Sequence, residues 1–438
     1  MIDDNKSLMS KVLSSPWLFI PAIYLISGAI EAGVLQYGTT IMYKQMGYSN
    51  AFIGYLSFLQ MPLVFAFLWA PYVDKWGSKR NLSVVFLFIT AAITAIIGFT
   101  IKLQFFFVFA SVAAYLLLAF VFSFFKIAAD GYYIRILDKK RQAEFIGVKT
   151  AAIRLGIIGS VAILIRIAGQ INEKNSSTTV GWFWMYMILT AVVLAGAIYN
   201  MFFLPAAAGD KPVAQTQGFA LLRVCREYLR QEKAVLFIIF VLVYRFGEGL
   251  LVRMADPFFM DPIADGGLNM SISAITLVKS FAGIPCTIIG GLAGGWIIKK
   301  FGLKKTFFWL ALFVTVSHLG YWYIAHVRNM AEFTFLNEVF NRDMFLAVCV
   351  ESLCYGMGFS AFFYYLHALA NGKDKTSIFA ISSALMGLGF YLPCALSGVL
   401  QEMFGYPMLF MLSFITAIPG VILILFLPLS VEKTVEQE

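Results

Sequence analysis

Charge is scarce in this chain. Of its 438 residues, 13% are Asp, Glu, Lys or Arg and 60% are hydrophobic, with a mean hydropathy of +0.81. A soluble domain of this length carries about twice that charged fraction, so the chain reads as an all-α polytopic membrane protein. Histidine is scarcer still, at three residues. His318 and His326 stand eight apart, which on a helix leaves them roughly 80° out of register, so they do not form a facing metal pair. There is no HExxH, no nucleophile elbow and no phosphate loop. These absences exclude the common enzyme classes and ATP as a direct energy source, and they imply no cofactor and no metal. The five cysteines (Cys225, Cys286, Cys349, Cys354 and Cys394) show no metal-ligand spacing, and four fall in apolar runs, where they serve as small packing residues. No cleavable leader is evident. Residues 1–16 are polar, and the apolar run from Trp17 is too long for a signal core and lacks an A-x-A exit.

Long apolar runs are what the chain does have. At about 20 residues per crossing, they give twelve predicted spans near 17–43, 51–73, 82–101, 104–129, 143–166, 181–204, 234–260, 271–298, 306–327, 344–370, 376–400 and 406–429. With the N-terminus in the cytoplasm, 22 Lys and Arg fall in cytoplasmic segments and 5 on the other side, leaving 6 of the 33 within spans. The positive-inside rule therefore places both termini in the cytoplasm. It also accounts for the net charge of +9 without nucleic acid. The polar, basic stretch 205–233 contains Pro212 and the amphipathic patch ALLRVCREYLRQEK. It reads as a linker carrying a surface helix, with a partner site as the alternative. The predicted organisation is an N-terminal six-helix bundle over 1–204, the linker, and a C-terminal six-helix bundle over 234–438.

The chain is organised around YRFGEGLLVRMADPFFMD, residues 244–261. Inside an apolar run it carries Arg245, Glu248, Arg253 and Asp256. On a helix these fall within one arc of about 140°. Each charge left in lipid at mid-bilayer costs about 2.5–3.5 kcal/mol, so that face must turn to a protein interior or a wet cavity. The stretch has an earlier counterpart. GAIEAGVLQYGTTIM resembles FGEGLLVRMADPFFM, aligning Glu31 with Glu248. Ser49 and Ser271 each precede the next span as candidate N-caps. PYVDKWGSKR matches WIIKKFGLKK, aligning Gly77 with Gly302. Two copies of six spans in the same orientation make a parallel repeat of the kind seen in the major facilitator fold, which puts its site near the bilayer midplane between the halves.

Several ionisable residues are candidates for chemistry. DKWGSKR, with Asp74 and Arg80, resembles the loop between the second and third helices of major facilitator transporters; a turn of this kind can form a breakable cytoplasmic latch. Glu31 and Glu248 are the proton-binding candidates, because a carboxyl in low dielectric can load and release a proton; each is alternatively a carboxylate satisfied by a nearby cation. Arg154 offers a planar fork to carboxylates or sugar oxygens, with Glu31 as its hypothetical partner. Lys126 and Asp130 stand four apart, and Lys126 is expected to snorkel. Arg253, Asp256, Lys279 and Glu351 are expected at similar depth, as an outer polar cluster.

FLWAPYVDKWGSKR, ADGYYIRIL with the basic turn after it, and AIRLGIIGS in the first half resemble the AmpG-type muropeptide permeases, a branch of the major facilitator superfamily. So do VYRFGEGL, GIPCTIIGGLAGGWIIKKFGLKK, VESLCYGMGFSAF and FAISSALMGLG in the second. The resemblance implies an inner-membrane permease that imports anhydro-muropeptides with protons. Asp74, Asp130, Arg154, Glu248 and Glu351 match polar positions of that pattern. Lys126 departs from it, standing where the family has an acid, and the turn after Asp74 is shorter. The implied protein is a monomer in lipid with a small-molecule substrate, a sugar–peptide or amino-sugar oligosaccharide. Arg154, Arg245, Glu351 and Lys126 are the substrate candidates. Asp74, Arg80, Asp130, Arg253, Asp256 and Lys279 are the gating candidates. An oligosaccharide or drug permease of the same fold, and a transporter-like membrane sensor, are the alternatives.

Overall fold

A computed structural model describes residues 15–205, 226, 229, 233–327, 331–335, 337–369 and 375–428. The 205–233 linker with its amphipathic patch therefore falls almost wholly outside the described residues, as do both termini. Of Asp74 only the backbone is described.

Among the described residues, eleven continuous helical segments are long and apolar enough to cross a membrane. The first ten spans are Pro16–Gln45, Asn50–Leu68, Lys79–Leu103, Phe107–Ile136, Lys140–Lys174, Val180–Phe203, Ala234–Met260, Ile272–Phe301, Leu303–Val327 and Arg342–Ala368. The last segment, Ile378–Ile424, is interrupted at Gly405, whose φ of 76° is left-handed. A side chain is disfavoured there, so the glycine divides the segment into an eleventh and a twelfth span of membrane length. The predicted twelve-helix architecture is thereby recovered. Glu332–Phe335 and Glu338–Asn341 add a small antiparallel hairpin between the ninth and tenth spans, which the apolar pattern did not signal.

The described residues fall into two compact units. One holds the described residues of Met1–Thr39 and Phe65–Thr216; the other holds those of Thr40–Val64 and Gln217–Glu438. Residues 40–64, from the first two spans, group with the later spans.

In the first unit, the first and fifth spans touch backbone to backbone. A Cβ on Gly28 would sit 1.9 Å from the Ile153 carbonyl oxygen, and one on Gly156 would sit 1.9 Å from that of Leu25. Small residues permit this approach where lipid supplies no hydrophobic drive to associate. Both spans turn π-helical beside the contact, over Ala29–Gly38 and Gly159–Ile165, and Gly33 packs on Ser160. The DKWGSKR turn is built as its residues suggest. Helix Ala70–Trp76 ends at Gly77, and the Ser78 side chain caps the next helix by accepting from Asn81 N at 3.2 Å. Arg80 donates to the carbonyls of Leu204 at 2.6 Å and Met201 at 2.8 Å, which fastens the end of the sixth span.

In the second unit, the seventh span breaks at Arg245, between helices Ala234–Tyr244 and Phe246–Met260. Glycines let it wedge against the last two spans, Gly247 against the Ser413 carbonyl and Gly249 against that of Phe390. An aromatic core of Phe240, Tyr244, Phe307, Phe362 and Tyr365 fills one end. The second span joins this unit through Gly398, where a Cβ would lie 1.7 Å from the Asn50 carbonyl oxygen. Ser49 and Ser271 both act as N-caps, accepting from Phe52 N at 3.3 Å and Ala274 N at 3.0 Å.

Candidate functional site

Each unit carries its own set of ionisable side chains within the spans. In the first, Glu31 projects from the π-helical part of the first span. Such segments insert a residue into the backbone ladder and occur often at functional sites. Lys126 of the fourth span grips both carboxylate oxygens, at 2.7 and 2.8 Å. It therefore does not snorkel, because a closer and better compensation exists inside the bundle. The pair keeps 42% of the lysine and 34% of the glutamate side-chain surface accessible, so it is not locked in a sealed core. One turn along, Asp130 accepts from Tyr24 OH at 2.8 Å and from Lys149 Nζ at 2.7 Å. The lysine also lies over the Tyr24 ring, 4.5 Å from its centroid.

The hypothetical Glu31–Arg154 pair does not form. Glu31 is taken by Lys126, and Arg154 lies on the face of its helix turned from the first span, since Ile153 and Gly156 make that contact. Arg154 is half-buried and has no hydrogen-bond or ion-pair partner among the described residues.

In the second unit, the break in the seventh span sets Arg245 just before the new helix, with Glu248 in its first turn. Arg245 Nε donates to Glu248 Oε2 at 2.9 Å, and Nη2 engages Oε1. The guanidinium also stacks 4.2 Å from the Phe390 ring centroid, a contact suited to Arg. The four residues of the expected outer cluster lie within electrostatic range of one another in pairs, but their hydrogen bonds and ion pairs are divided. Lys279, which opens the π-helical turn Lys279–Gly283, pairs with Asp256. Arg253 is directed elsewhere, donating through Nε and Nη2 to the Ile53 carbonyl at 2.8 and 2.6 Å. Glu351 takes no cation among the described residues; its hydrogen bond is from Ser352 Oγ at 3.5 Å.

One polar network went unread in the sequence. Lys44 sits 2.5 Å from Asp261 Oδ1 and donates to Asn50 Oδ1 at 2.8 Å. Asn50 Nδ2 reaches Gln401 Oε1 at 2.6 Å and Tyr406 OH at 2.9 Å, and Tyr406 donates to Asp261 Oδ2 at 2.5 Å. The available signal was Asp261 at the end of the charged stretch. Its partners lie 145 and more residues away in sequence on two sides, beyond any local pattern. No cluster of His, Cys, Asp and Glu suited to a metal occurs among the described residues.

The family model described as Major Facilitator Superfamily matches residues 22–340. The chain is 24% identical over 428 residues to a protein named anhydromuropeptide permease from Escherichia coli (strain K12), covering 94% of this chain and 80% of that one. Among solved structures, it is similar to a D-xylose-proton symporter, with a TM-score of 0.71 at 11% identity, covering 94% of this chain and 97% of the other. It is also similar to the nucleoside transporter NupG, with a TM-score of 0.69 at 14% identity over 94% and 99% of the two chains.

Proposed function

The chain belongs to the Major Facilitator Superfamily, and we propose that it is an inner-membrane secondary transporter, with both termini cytoplasmic, that imports anhydro-muropeptides or a related amino-sugar or peptide solute together with protons. It is a multi-pass membrane transporter of small molecules rather than an enzyme. The finer assignment draws on the relative named for anhydromuropeptide, which spans most of the chain.

The observation that carries the proposal is the accessible Glu31–Lys126 pair. Ionised groups inside spans persist where they have work with solutes or protons, since lipid-facing positions do not tolerate them. A carboxylate–ammonium pair that retains accessible surface can exchange its internal contact for a solute. Lys126 then offers three donors to sugar or peptide oxygens, while Glu31 accepts from hydroxyl or acetamido groups. Arg245, held by Glu248 and Phe390, and Arg154, without a partner among the described residues, supply planar forks for carboxylates or peptide carbonyls. Arg80, Asp130, Arg253, Asp256 and Lys279 join helices to one another, which is the work of breakable gating contacts in alternating access.

The test is a strain lacking its own muropeptide permease. Labelled N-acetylglucosaminyl-anhydro-N-acetylmuramyl tripeptide should accumulate only when this chain is produced, and accumulation should collapse with the proton gradient. Expression without accumulation would overturn the assignment. Lys126 favours one second reading, an oligosaccharide permease of the same fold, because a lysine stands where the AmpG pattern has an acid. Uptake of an uncharged amino-sugar oligosaccharide in preference to the muropeptide would select it.

A further inference from the structure

Among the described carboxylates deep in the spans of the second unit, Glu351 differs from the rest. Among the described residues of that unit's membrane interior, Glu248 is matched by Arg245, Asp256 by Lys279 and Asp261 by Lys44. Glu351 is in no ion pair, yet it lies within electrostatic range of both Glu248 and Lys279. The backbone beside it is irregular. Gly283 closes the π-helical turn that Lys279 opens, and it packs against the tenth span, where a Cβ would meet Val348 Cγ1 at 3.3 Å and Ser352 Oγ at 3.4 Å. The lysine that pairs with Asp256 thus stands on a turn that can re-register, against the helix carrying the unpaired carboxyl.

We propose that Glu351 carries the transported proton and that Lys279 passes between Asp256 and Glu351 as the proton arrives and leaves. The inference rests on the proton-coupled reading above and replaces Glu31 and Glu248 as the carrier. Both of those are engaged by cations that compensate their charge, whereas a proton is the compensation open to Glu351. A proton from the aqueous phase forms an O–H bond on a Glu351 carboxyl oxygen, and Lys279 stays with Asp256, the arrangement observed. On release to the other side that O–H bond breaks, Glu351 regains its charge, and the Lys279 ammonium, with its three protons unchanged, moves to it. Asp256 on the seventh span loses its lysine and keeps only the electrostatic influence of Arg253, so the proton's departure alters the contact between the seventh and eighth spans.

Other titratable groups on the neighbouring elements are engaged elsewhere or lie along the same helix. Cys286 of the eighth span faces Cys349. His318 of the ninth contacts the Ser413 carbonyl. Glu338 of the hairpin accepts from Ser271, and Asp343 pairs with Arg342. Tyr391 of the eleventh span acts on Arg245 and Arg253. On the tenth span itself, Tyr355 acts on Arg245, and Cys354 is the thiol that Glu351 influences.

The test is pH-difference infrared spectroscopy on the purified full-length protein in lipid, beside uptake of the tripeptide probe into proteoliposomes. The wild-type protein should show a protonated-carboxyl C=O stretch that titrates. The band should disappear in Glu351→Gln, shift in Glu351→Asp and remain in Glu31→Gln and Glu248→Gln. A gradient of one pH unit supports about tenfold accumulation at one proton per solute; Glu351→Gln should lose it and Glu351→Asp should regain it. An unchanged band in Glu351→Gln, no titrating band at all, or gradient-driven accumulation by Glu351→Gln equal to wild type overturns the inference. If Glu351→Gln does not fold, the shift in Glu351→Asp decides. A band that behaves as expected with no gradient-driven uptake of the probe by wild type sinks the muropeptide–proton reading and leaves Glu351 as the proton site.

Discussion

Lys126 Nζ lies 2.7 Å from Glu31 Oε1, so the lysine that departs from the family pattern and the best carboxylate of the first half are two ends of one contact. Neutralising either alone strands the other charge within the spans. The pair is partly accessible, so the stability cost should fall between the ~1 kcal/mol of an exposed pair and the ~3–5 kcal/mol of a buried one. Glu31→Gln and Lys126→Gln should each reduce tripeptide uptake severalfold, and the exchanged pair Glu31→Lys with Lys126→Glu should recover part of it. No recovery at equal membrane expression would show that the two side chains act separately.

The close crossing of the first and fifth spans predicts a steric effect that has nothing to do with charge. Gly28→Leu and Gly156→Leu drive a side chain into backbone that lies 1.9 Å from the would-be Cβ. Overpacking costs about 1–3 kcal/mol or more, so melting of the protein in detergent should come at a lower temperature. Gly295→Ala, with nothing within 4 Å, should melt as wild type does.

The Asn50 network predicts a graded loss. Asn50→Ala removes its bonds to Gln401 and Tyr406 and leaves their polar atoms without that partner, at about 1–3 kcal/mol for an unsatisfied buried group. Tyr406→Phe removes the hydroxyl on Asp261, a charge-assisted bond of about 1.5–3 kcal/mol. Both should lower the melting temperature and raise the labelling of a cysteine at Ile53 by a membrane-impermeant thiol reagent. Unchanged labelling in both would mean that this network does not hold residues 40–64 in place.

Arg154 predicts the opposite combination. It has no partner among the described residues, so Arg154→Gln should leave the melting temperature unchanged or higher. Uptake of the carboxylate-bearing probe should show a raised KM, with Arg154→Lys intermediate because the planar fork is lost but the charge stays. A fall in stability without a change in KM would make it a structural residue.

Apolar run length suffices for the spans, because lipid forces every backbone polar group into helices of a fixed minimum length. The AmpG-type resemblance is matched by the E. coli permease across 94% of the chain. Local signals also served where the interaction is local. Ser49 and Ser271 cap as their positions suggest, and Glu248 meets Arg245 three residues before it.

What the sequence alone determined is therefore the set of segments that must cross the membrane and the residues too polar to face its lipid. Partner choice was decided only in three dimensions. Glu31 meets Lys126 rather than Arg154, Arg253 bonds a backbone carbonyl, Lys44 and Asn50 join Asp261, and Glu351 is in no ion pair among the described residues. The reason is physical. A charge inside a bundle selects whichever opposite group the helix rotations and glycine contacts bring within about 3 Å, and those rotations are fixed by packing between spans far apart in the chain.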